Sequence, residues 1–307
     1  MYYPILRGRQ NELIAVRELQ ERGLLEHVTP IIEPVRASST LVSVLERFKG
    51  DDKPIVLVDK PIVGSFEKEL SQSPEYAEKL NTIIAESPQL IKMSYCMEGL
   101  PSGVIADSSR RWAFYLGPDN RKSYQGACQL REPVLTITAG GGRNHRIAKG
   151  QKVTLESAFV PQKRNADYCE HQDDFLSEEL FYFAEEGANG FADYSIIGEE
   201  YSEGGFTPKV VALHLVHLNE DHNQLRVRHF TSSPTDESTN TGLKFNEALG
   251  SLLAWAAENP KLLCHTCALK QMKEIYDEER FPGLGVAKRL AIMHHLEFVN
   301  ALLEDFQ

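Results

Sequence analysis

The chain has 307 residues, 42% of them apolar and 25% charged, with a formal net charge of −11. That length and composition exclude a disordered or fibrous chain and leave one large domain or two small ones. The acidic balance also excludes a protein that coats nucleic acid over its whole surface, while a local basic site stays compatible with it.

No apolar run reaches the length of a bilayer span. Met1-Tyr2-Tyr3-Pro4-Ile5-Leu6-Arg7 lacks the basic-then-apolar pattern of a secretory leader, so a cytoplasmic protein without membrane contact is expected. The five cysteines, Cys96, Cys128, Cys169, Cys264 and Cys267, are odd in number and scattered. They suit a reducing compartment better than a disulfide framework.

In chain order, Tyr3–Leu6 reads as a short strand and Gln10–Arg22 as a helix stopped by Gly23. His27–Val35 is the second predicted strand, and Thr40–Lys49 the second helix, with Ser39 or Thr40 as its cap. Pro54–Asp59 is apolar on both faces, as a buried parallel strand should be. A helix over Glu75–Glu86 and a strand over Leu90–Tyr95 follow. Strand and helix thus alternate roughly every 25–35 residues, the length of a βα unit. Further strands are predicted at Trp112–Leu116, Pro133–Thr138, Val153–Ser157, Asp193–Ile197 and Val210–Leu218. The last continues to Leu225–Phe230 as a hairpin, and the clearest later crossover helix is Phe175–Glu186.

This pattern predicts an α/β fold: a (β/α)8-like, TIM-type barrel with an irregular second half, or alternatively an open doubly wound sheet. Ser232–Thr241 reads as a polar loop. Beyond it come helices at Gly242–Glu258, Cys267–Glu279 and Val286–Glu304. The expected organisation is a barrel over 1–240 with the helices of 241–307 packed on it, forming one domain.

Charge is strongly segregated. Residues 110–164 hold 11 Lys/Arg against 3 Asp/Glu, whereas 165–204 hold 12 Asp/Glu and no Lys/Arg. Crowded like charges repel, so either the basic segment faces an anion or two solvated loops neutralise one another.

In a βα barrel, chemistry sits at the carboxyl ends of the strands. The candidate ligand-binding residues there are Arg7, Arg36, Lys60, Lys163, Arg164 and Asp167. Arginine would clamp a phosphate or carboxylate bidentately. Glu33, Asp59 and Asp193 are the candidate catalytic acids, as general bases or as ligands to a divalent cation. The opposing reading is a ring of salt bridges that stabilises the barrel mouth.

Ala139-Gly140-Gly141-Gly142-Arg143-Asn144-His145-Arg146 follows a strand and could turn N–H groups toward phosphate, with Arg143 adding charge. It lacks the Lys-Ser/Thr of a Walker loop, and a flexible surface loop is expected. Cys264 and Cys267 have metal-knuckle spacing, but no second cysteine pair exists. His294 and His295 project about 100° apart on a helix, so buried thiols and helix-packing histidines are expected rather than zinc. His214 and His217, three apart, do not share one strand face. No Gly-x-Ser-x-Gly elbow occurs.

Several stretches resemble the phage beta-protein family and its bacterial relatives. They are Tyr3-Pro4-Ile5-Leu6-Arg7-Gly8-Arg9-Gln10 with Glu12, Pro30-Ile31-Ile32-Glu33-Pro34, and Gln162-Lys163-Arg164-Asn165-Ala166-Asp167-Tyr168. Downstream come Gly190-Phe191-Ala192-Asp193-Tyr194 with Gly198, Phe281-Pro282-Gly283-Leu284-Gly285, and Met293-His294-His295-Leu296-Glu297. The resemblance spans nearly the whole chain. It implies a barrel-like fold, a phage-defence-type setting and a nuclease-like protein partner, and it brings no catalytic residue with it.

Combined, these readings predict an anion-recognition component for a phosphate or a nucleic-acid end. The alternatives are a divalent-metal phosphoester hydrolase and a non-catalytic scaffold.

Overall fold

Short runs of β-branched and aromatic residues supply the strands. Ile55-Val56-Leu57-Val58 is buried at every position, which a strand covered on both faces requires. The computed structural model describes residues 1–97, 103–104, 109–203, 209–234 and 239–305. Eight parallel strands close into a barrel: β1 (Tyr2–Leu6), β2 (Ile31–Ile32), β3 (Ile55–Val58), β4 (Leu90–Ser94), β5 (Arg111–Leu116), β6 (Leu135–Thr138), β7 (Gln151–Leu155) and β9 (Gly190–Asp193). Closure is made by β9 against β1, with Tyr2 opposite Phe191 and Pro4 opposite Asp193, which excludes the open sheet. Gly190 permits that closure, because a Cβ there would sit 2.3 Å from the Met1 carbonyl oxygen and 2.9 Å from the Tyr3 ring.

The first half follows the βα rhythm. Its helices are α1 (Gln10–Glu21), α2 (Ser39–Gly50), α3 (Phe66–Gln72) and α4 (Pro74–Ala85). Helix α2 is capped one residue earlier than expected, by Ser38, whose Oγ accepts from the Leu41 N–H at 3.2 Å. The strand expected over His27–Val35 shrinks to two residues, since Pro30 and Pro34 flank it and have no N–H to give the ladder.

The second half is irregular. Helix α5 (Arg121–Leu130) follows β5, but β6 is followed by the short α6 (Gly142–Ile147), where a loop was expected. Between β7 and β9 there is a strand, β8 (Asp173–Ser177), and a single helical turn, α7 (Glu179–Tyr182). The helix expected over Phe175–Glu186 is thus mostly absent. Phe175–Ser177 instead pairs with another strand, a tertiary contact overriding local helix propensity. The strand expected over Asp193–Ile197 ends at Asp193. Ser195, at φ 50°, starts a 3-10 turn over Ser195–Ile197.

Strand alternation sorts the barrel side chains into two sets. Trp112, Phe114 and Leu116 pack on Tyr124 and Ala127 of α5, so their set faces the helices. Tyr3, Ile5, Ile31, Val56, Met93, Ala113, Ile137 and Val153 belong to the other set and fill the interior. Each large buried side chain contributes about 1.5–3 kcal/mol.

Contacts divide the chain into two units: residues 1–21, 27–156 and 182–193, which hold the barrel, and residues 22–26, 157–181 and 194–307. The second unit contains a three-stranded antiparallel sheet in the order β10 (Ala212–Leu218), β11 (Leu225–Thr231), β8. The predicted hairpin is therefore present, and Asn219 ties its turn by accepting from Asn223 and Gln224 N–H groups at 2.9 and 3.0 Å. Helices α8 (Thr241–Glu258) and α10 (Leu284–Asp305) pack on this sheet, and α9 (Cys267–Asp277) packs on both. The polar stretch 232–241 lies partly outside the described residues. No helix among the described residues is long and apolar enough to cross a membrane.

Candidate ligand-binding site

Arg7 and Glu33 extend β1 and β2 by one residue each, and the Glu33 N–H donates to the Leu6 carbonyl at 2.8 Å. Alternation then sends both side chains into the barrel, where Arg7 is 6% and Glu33 0% exposed. The Glu33 carboxylate accepts from Arg7 Nη1, from Tyr95 OH at 2.8 Å and from Ile62 N–H at 2.9 Å. Tyr95 is fixed in turn: its carbonyl accepts from Asn120 Nδ2 at 2.6 Å, and its ring meets Tyr115 edge-on at 5.5 Å. A carboxylate with three donors on it is a structural tie, and it would have to shed one of them to act as a base.

Asp59 and Asp193 fall in the other alternation set. The Asp59 N–H continues the ladder to Met93 O at 2.9 Å, and its carboxylate meets Lys92 Nζ at 2.7 Å. Lys92 lies 5.4 Å from the Trp112 ring centroid. Asp193 accepts from Tyr2 OH at 2.7 Å, and Tyr2 stacks on Phe191 at 5.0 Å. The three predicted acids are therefore not gathered around one point. Among the described residues no group of three or more His, Cys, Asp and Glu side chains is arranged to hold a metal ion.

The predicted cations are dispersed. Arg36, Lys60 and Arg143 are exposed in the barrel unit, whereas Lys163 and Arg164 are exposed in the second unit. Asp167 accepts from the Arg164 N–H at 3.2 Å and so caps the start of a 3-10 turn, Asn165–Cys169. Burial, then Asp59, raises the Glu67 carboxyl, with Lys60 opposing. The glycine stretch is built around buried Asn144, whose Nδ2 donates to Ala139 O at 2.6 Å and whose Oδ1 accepts from Arg121 Nε at 2.6 Å. The two adjacent histidines of α10 take separate partners. His294 bonds Thr266 Oγ1 and Val216 O, both at 2.8 Å, while His295 bonds Ser195 Oγ at 2.8 Å.

Part of the acidic segment finds its complement inside the second unit. Asp173 pairs with His217 Nε2 at 2.8 Å and with Arg226, and Arg228 stands 3.7 Å away. Burial raises the Asp173 carboxyl, but the His217 and Arg226 hydrogen bonds outweigh that and hold it below the usual carboxylate value.

The second unit also contains a half-open cavity of about 250 Å³. Pro161, Gln162, Asn165 and Tyr168 form one side of it. Ile196 and Ile197, just before Gly198, form another, and Leu284 and Lys288 of α10 contribute from the C-terminal part of the chain. Two stretches set apart by sequence motif, 162–168 and 281–285, thus contribute to one concavity together with Ile196 and Ile197. Gly198, at φ +73°, lets the chain pass Pro161, whose Cδ would lie 2.5 Å from an added Cβ. The Tyr168 hydroxyl accepts from the Gln162 N–H at 2.9 Å. Burial, then nearby Asp174, raises the Tyr168 pKa, partly offset by that hydrogen bond.

His214 of β10 lines this cavity. Its Nδ1 lies 2.7 Å from His229 Nδ1, and His229 Nε2 lies 3.2 Å from Asp174 Oδ2. Burial, then His229 and then Lys288, pushes the His214 pKa down to about 3. Burial also lowers the His229 pKa, with Asp174 pulling it back up. The cavity is thus mainly apolar, with a neutral imidazole, two side-chain amides and one lysine. That is the composition of a small-molecule pocket. Sequence reasoning missed Asp174, His229 and Lys288. Laying out the register of the predicted hairpin would have set His214 opposite His229, as observed.

Fold and cavity together define a parallel (β/α)8 barrel protein with a ligand-sized pocket in a second unit. No protein-family model matches the chain, and neither a curated protein nor a solved structure matches it. The resemblance to the phage beta-protein family accordingly rests on its motifs alone.

Proposed function

We propose that this protein is a recognition component that binds a phosphorylated or otherwise anionic small ligand, or the phosphorylated end of a nucleic acid, in the cavity of its second unit. The observation that carries this reading is the convergence of the 162–168 stretch with Lys288, which is the charged residue among those lining the cavity. A cation in a largely apolar concavity attracts an anion more strongly than it would in open water. The proposed anion contact is thus Lys288 of the cavity and not the barrel-mouth arginine Arg7. A nuclease-like partner and a defence-type setting are part of the proposal on the strength of the motif resemblance. Exposed apolar side chains at Leu243 (72%) and Phe281 (42%) are compatible with a protein partner.

The hydrolase reading has less support, because Glu33, Asp59 and Asp193 are each engaged by other side chains. Calorimetric titration with inorganic phosphate, nucleoside monophosphates and a 5′-phosphorylated oligonucleotide tests the proposal. At least one should bind, and Lys288→Ala should weaken it roughly tenfold, the scale of one charge-assisted contact. No binding by any of them, or equal binding by the variant, would overturn it.

A further inference from the structure

The hydrogen-bond polarity of the cavity can be worked out atom by atom. Asp174 is a carboxylate and only accepts, so His229 Nε2 donates to it. A neutral imidazole carries a single N–H, so His229 Nδ1 must accept. The proton in the 2.7 Å contact between the two rings then belongs to His214 Nδ1. This makes His214 Nε2 the bare nitrogen, and it hydrogen-bonds no described residue. Asn165 donates its Nδ2 to Val210 O at 2.9 Å, so its carbonyl oxygen is the end left for a ligand. Beside the Gln162 amide and the Tyr168 hydroxyl, the cavity therefore offers these two acceptors and the Lys288 cation, among walls that include Phe159, Tyr168 and Leu213.

A ligand that matches must bring an N–H or O–H donor on a flat apolar body and carry a negative charge. We infer that the cavity takes a single nucleotide unit, whose base donates a ring N–H to His214 Nε2 while its phosphate is drawn to Lys288. This rests on the anion-recognition reading above and adds the identity of the ligand's other end. At about 250 Å³ the cavity is smaller than the roughly 300–1,000 Å³ typical of drug-sized ligands, so it has room for no more than one unit of a strand. Aromatic walls suit a base because every base has a π-face. Guanine and uracil carry a ring N–H and match the bare imidazole nitrogen, and an acceptor site left unfilled discriminates strongly against a ligand lacking the donor.

The test is calorimetric titration of the full chain with GMP and UMP, their N1-methyl and N3-methyl derivatives, ribose 5-phosphate and inorganic phosphate. We expect GMP or UMP to bind, ring-N methylation to weaken that binding at least tenfold, and ribose 5-phosphate to bind at least tenfold more weakly. His214→Phe, which keeps a ring beside Tyr168, should bind parent and methylated nucleotides alike. The methylated ligands read the same contact on the unaltered protein, so the test survives a poorly folded variant. A 5′-phosphorylated tetranucleotide binding as well as the free nucleotide, with the same methyl sensitivity, would assign a strand end as the source. If methylated and parent nucleotides bind equally, or ribose 5-phosphate matches them, the base contact is wrong while anion recognition stands. If inorganic phosphate and every phosphorylated probe fail to bind, both readings fall.

Discussion

His214 and His229 face each other across the β10–β11 hairpin and share one hydrogen bond, Nδ1 to Nδ1 at 2.7 Å. Two protonated imidazoles could not hold that contact, because both nitrogens would then be donors. At most one of the two can therefore carry a charge, and burial holds both pKa values below the ordinary 6.5, so the pair is neutral at pH 7. Nitrogen NMR of the histidines at pH 7 should show His214 as the Nδ1–H tautomer and His229 as the Nε2–H tautomer. Asp174→Ala should remove the preference at His229 and scramble both assignments. An Nε2–H tautomer at His214 in the unaltered protein would refute the polarity assigned to the cavity.

The buried histidines make stability depend on pH. Burial holds His294 at about 4 and His295 at about 3, and burial, His229 and Lys288 hold His214 at about 3, all below the ordinary value of 6.5. Below pH 6.5 the unfolded chain binds protons that the folded chain does not, so stability is fully present above 6.5 and is lost as pH falls toward 3–4. The loss is on the order of a few kcal/mol per fully buried group. Urea midpoints measured from pH 7 to pH 4 should fall steadily, and His295→Gln should flatten the slope. A midpoint constant over that range would show that these side chains are not neutral in the fold.

Arg7 and Glu33 carry no more than a structural role if their buried pair is complete. Breaking it from one side leaves a buried charge, which costs about 3–5 kcal/mol, whereas replacing both partners by apolar residues is often close to neutral. Glu33→Leu should therefore destabilise strongly, and Arg7→Met/Glu33→Leu should recover most of the loss in denaturant melts. A double variant that folds normally yet loses phosphate binding would return the barrel mouth to candidacy.

The alternation of strand and helix was legible from the sequence because parallel strands buried on both faces, such as Ile55–Val58, read as unbroken apolar runs. Arg7, Glu33 and Asp59 were legible as rim positions too, since each follows a strand directly. Which way those residues point was not. Glu33 and Asp59 look equivalent as strand-end acids, yet ladder register sends one into the barrel and the other outward, and register depends on pairing between strands. The same limit hid β8, whose acidic start at Asp173 is bound by His217 and Arg226 more than 40 residues later. The cavity was half legible: the 162–168 stretch stood out as a motif, but Lys288 lies on a distant helix and carries no local signal.

Asp173 locks β8 onto the hairpin through His217 and Arg226. Asp173→Ala leaves the buried His217 and the half-buried Arg226 short of an acceptor, and should cost about 1–3 kcal/mol. Its carboxyl is held below its ordinary 3.8, so its contribution is present above that pH and fades only as pH falls further. The acid loss between pH 6.5 and 4 described above should thus persist in Asp173→Ala. A variant that flattens that slope would assign the acid sensitivity to this cluster instead of to the buried histidines.

Gly198 connects the fold to the proposed ligand. Its φ of +73° with ψ 165° is a conformation essentially reserved for glycine, which costs another residue about 1–3 kcal/mol. An added methyl would also meet Pro161 Cδ at 2.5 Å, pressing on a residue that lines the cavity. Gly198→Ala should therefore lower stability by about 2–4 kcal/mol, combining backbone strain with overpacking. It should also weaken whichever phosphorylated ligand the unaltered chain binds. Gly187, at φ +77° with no atom within 4 Å of an added Cβ, is the control: Gly187→Ala should show the backbone cost alone and leave binding unchanged. Equal effects of the two substitutions on ligand affinity would mean that Pro161 does not shape the site.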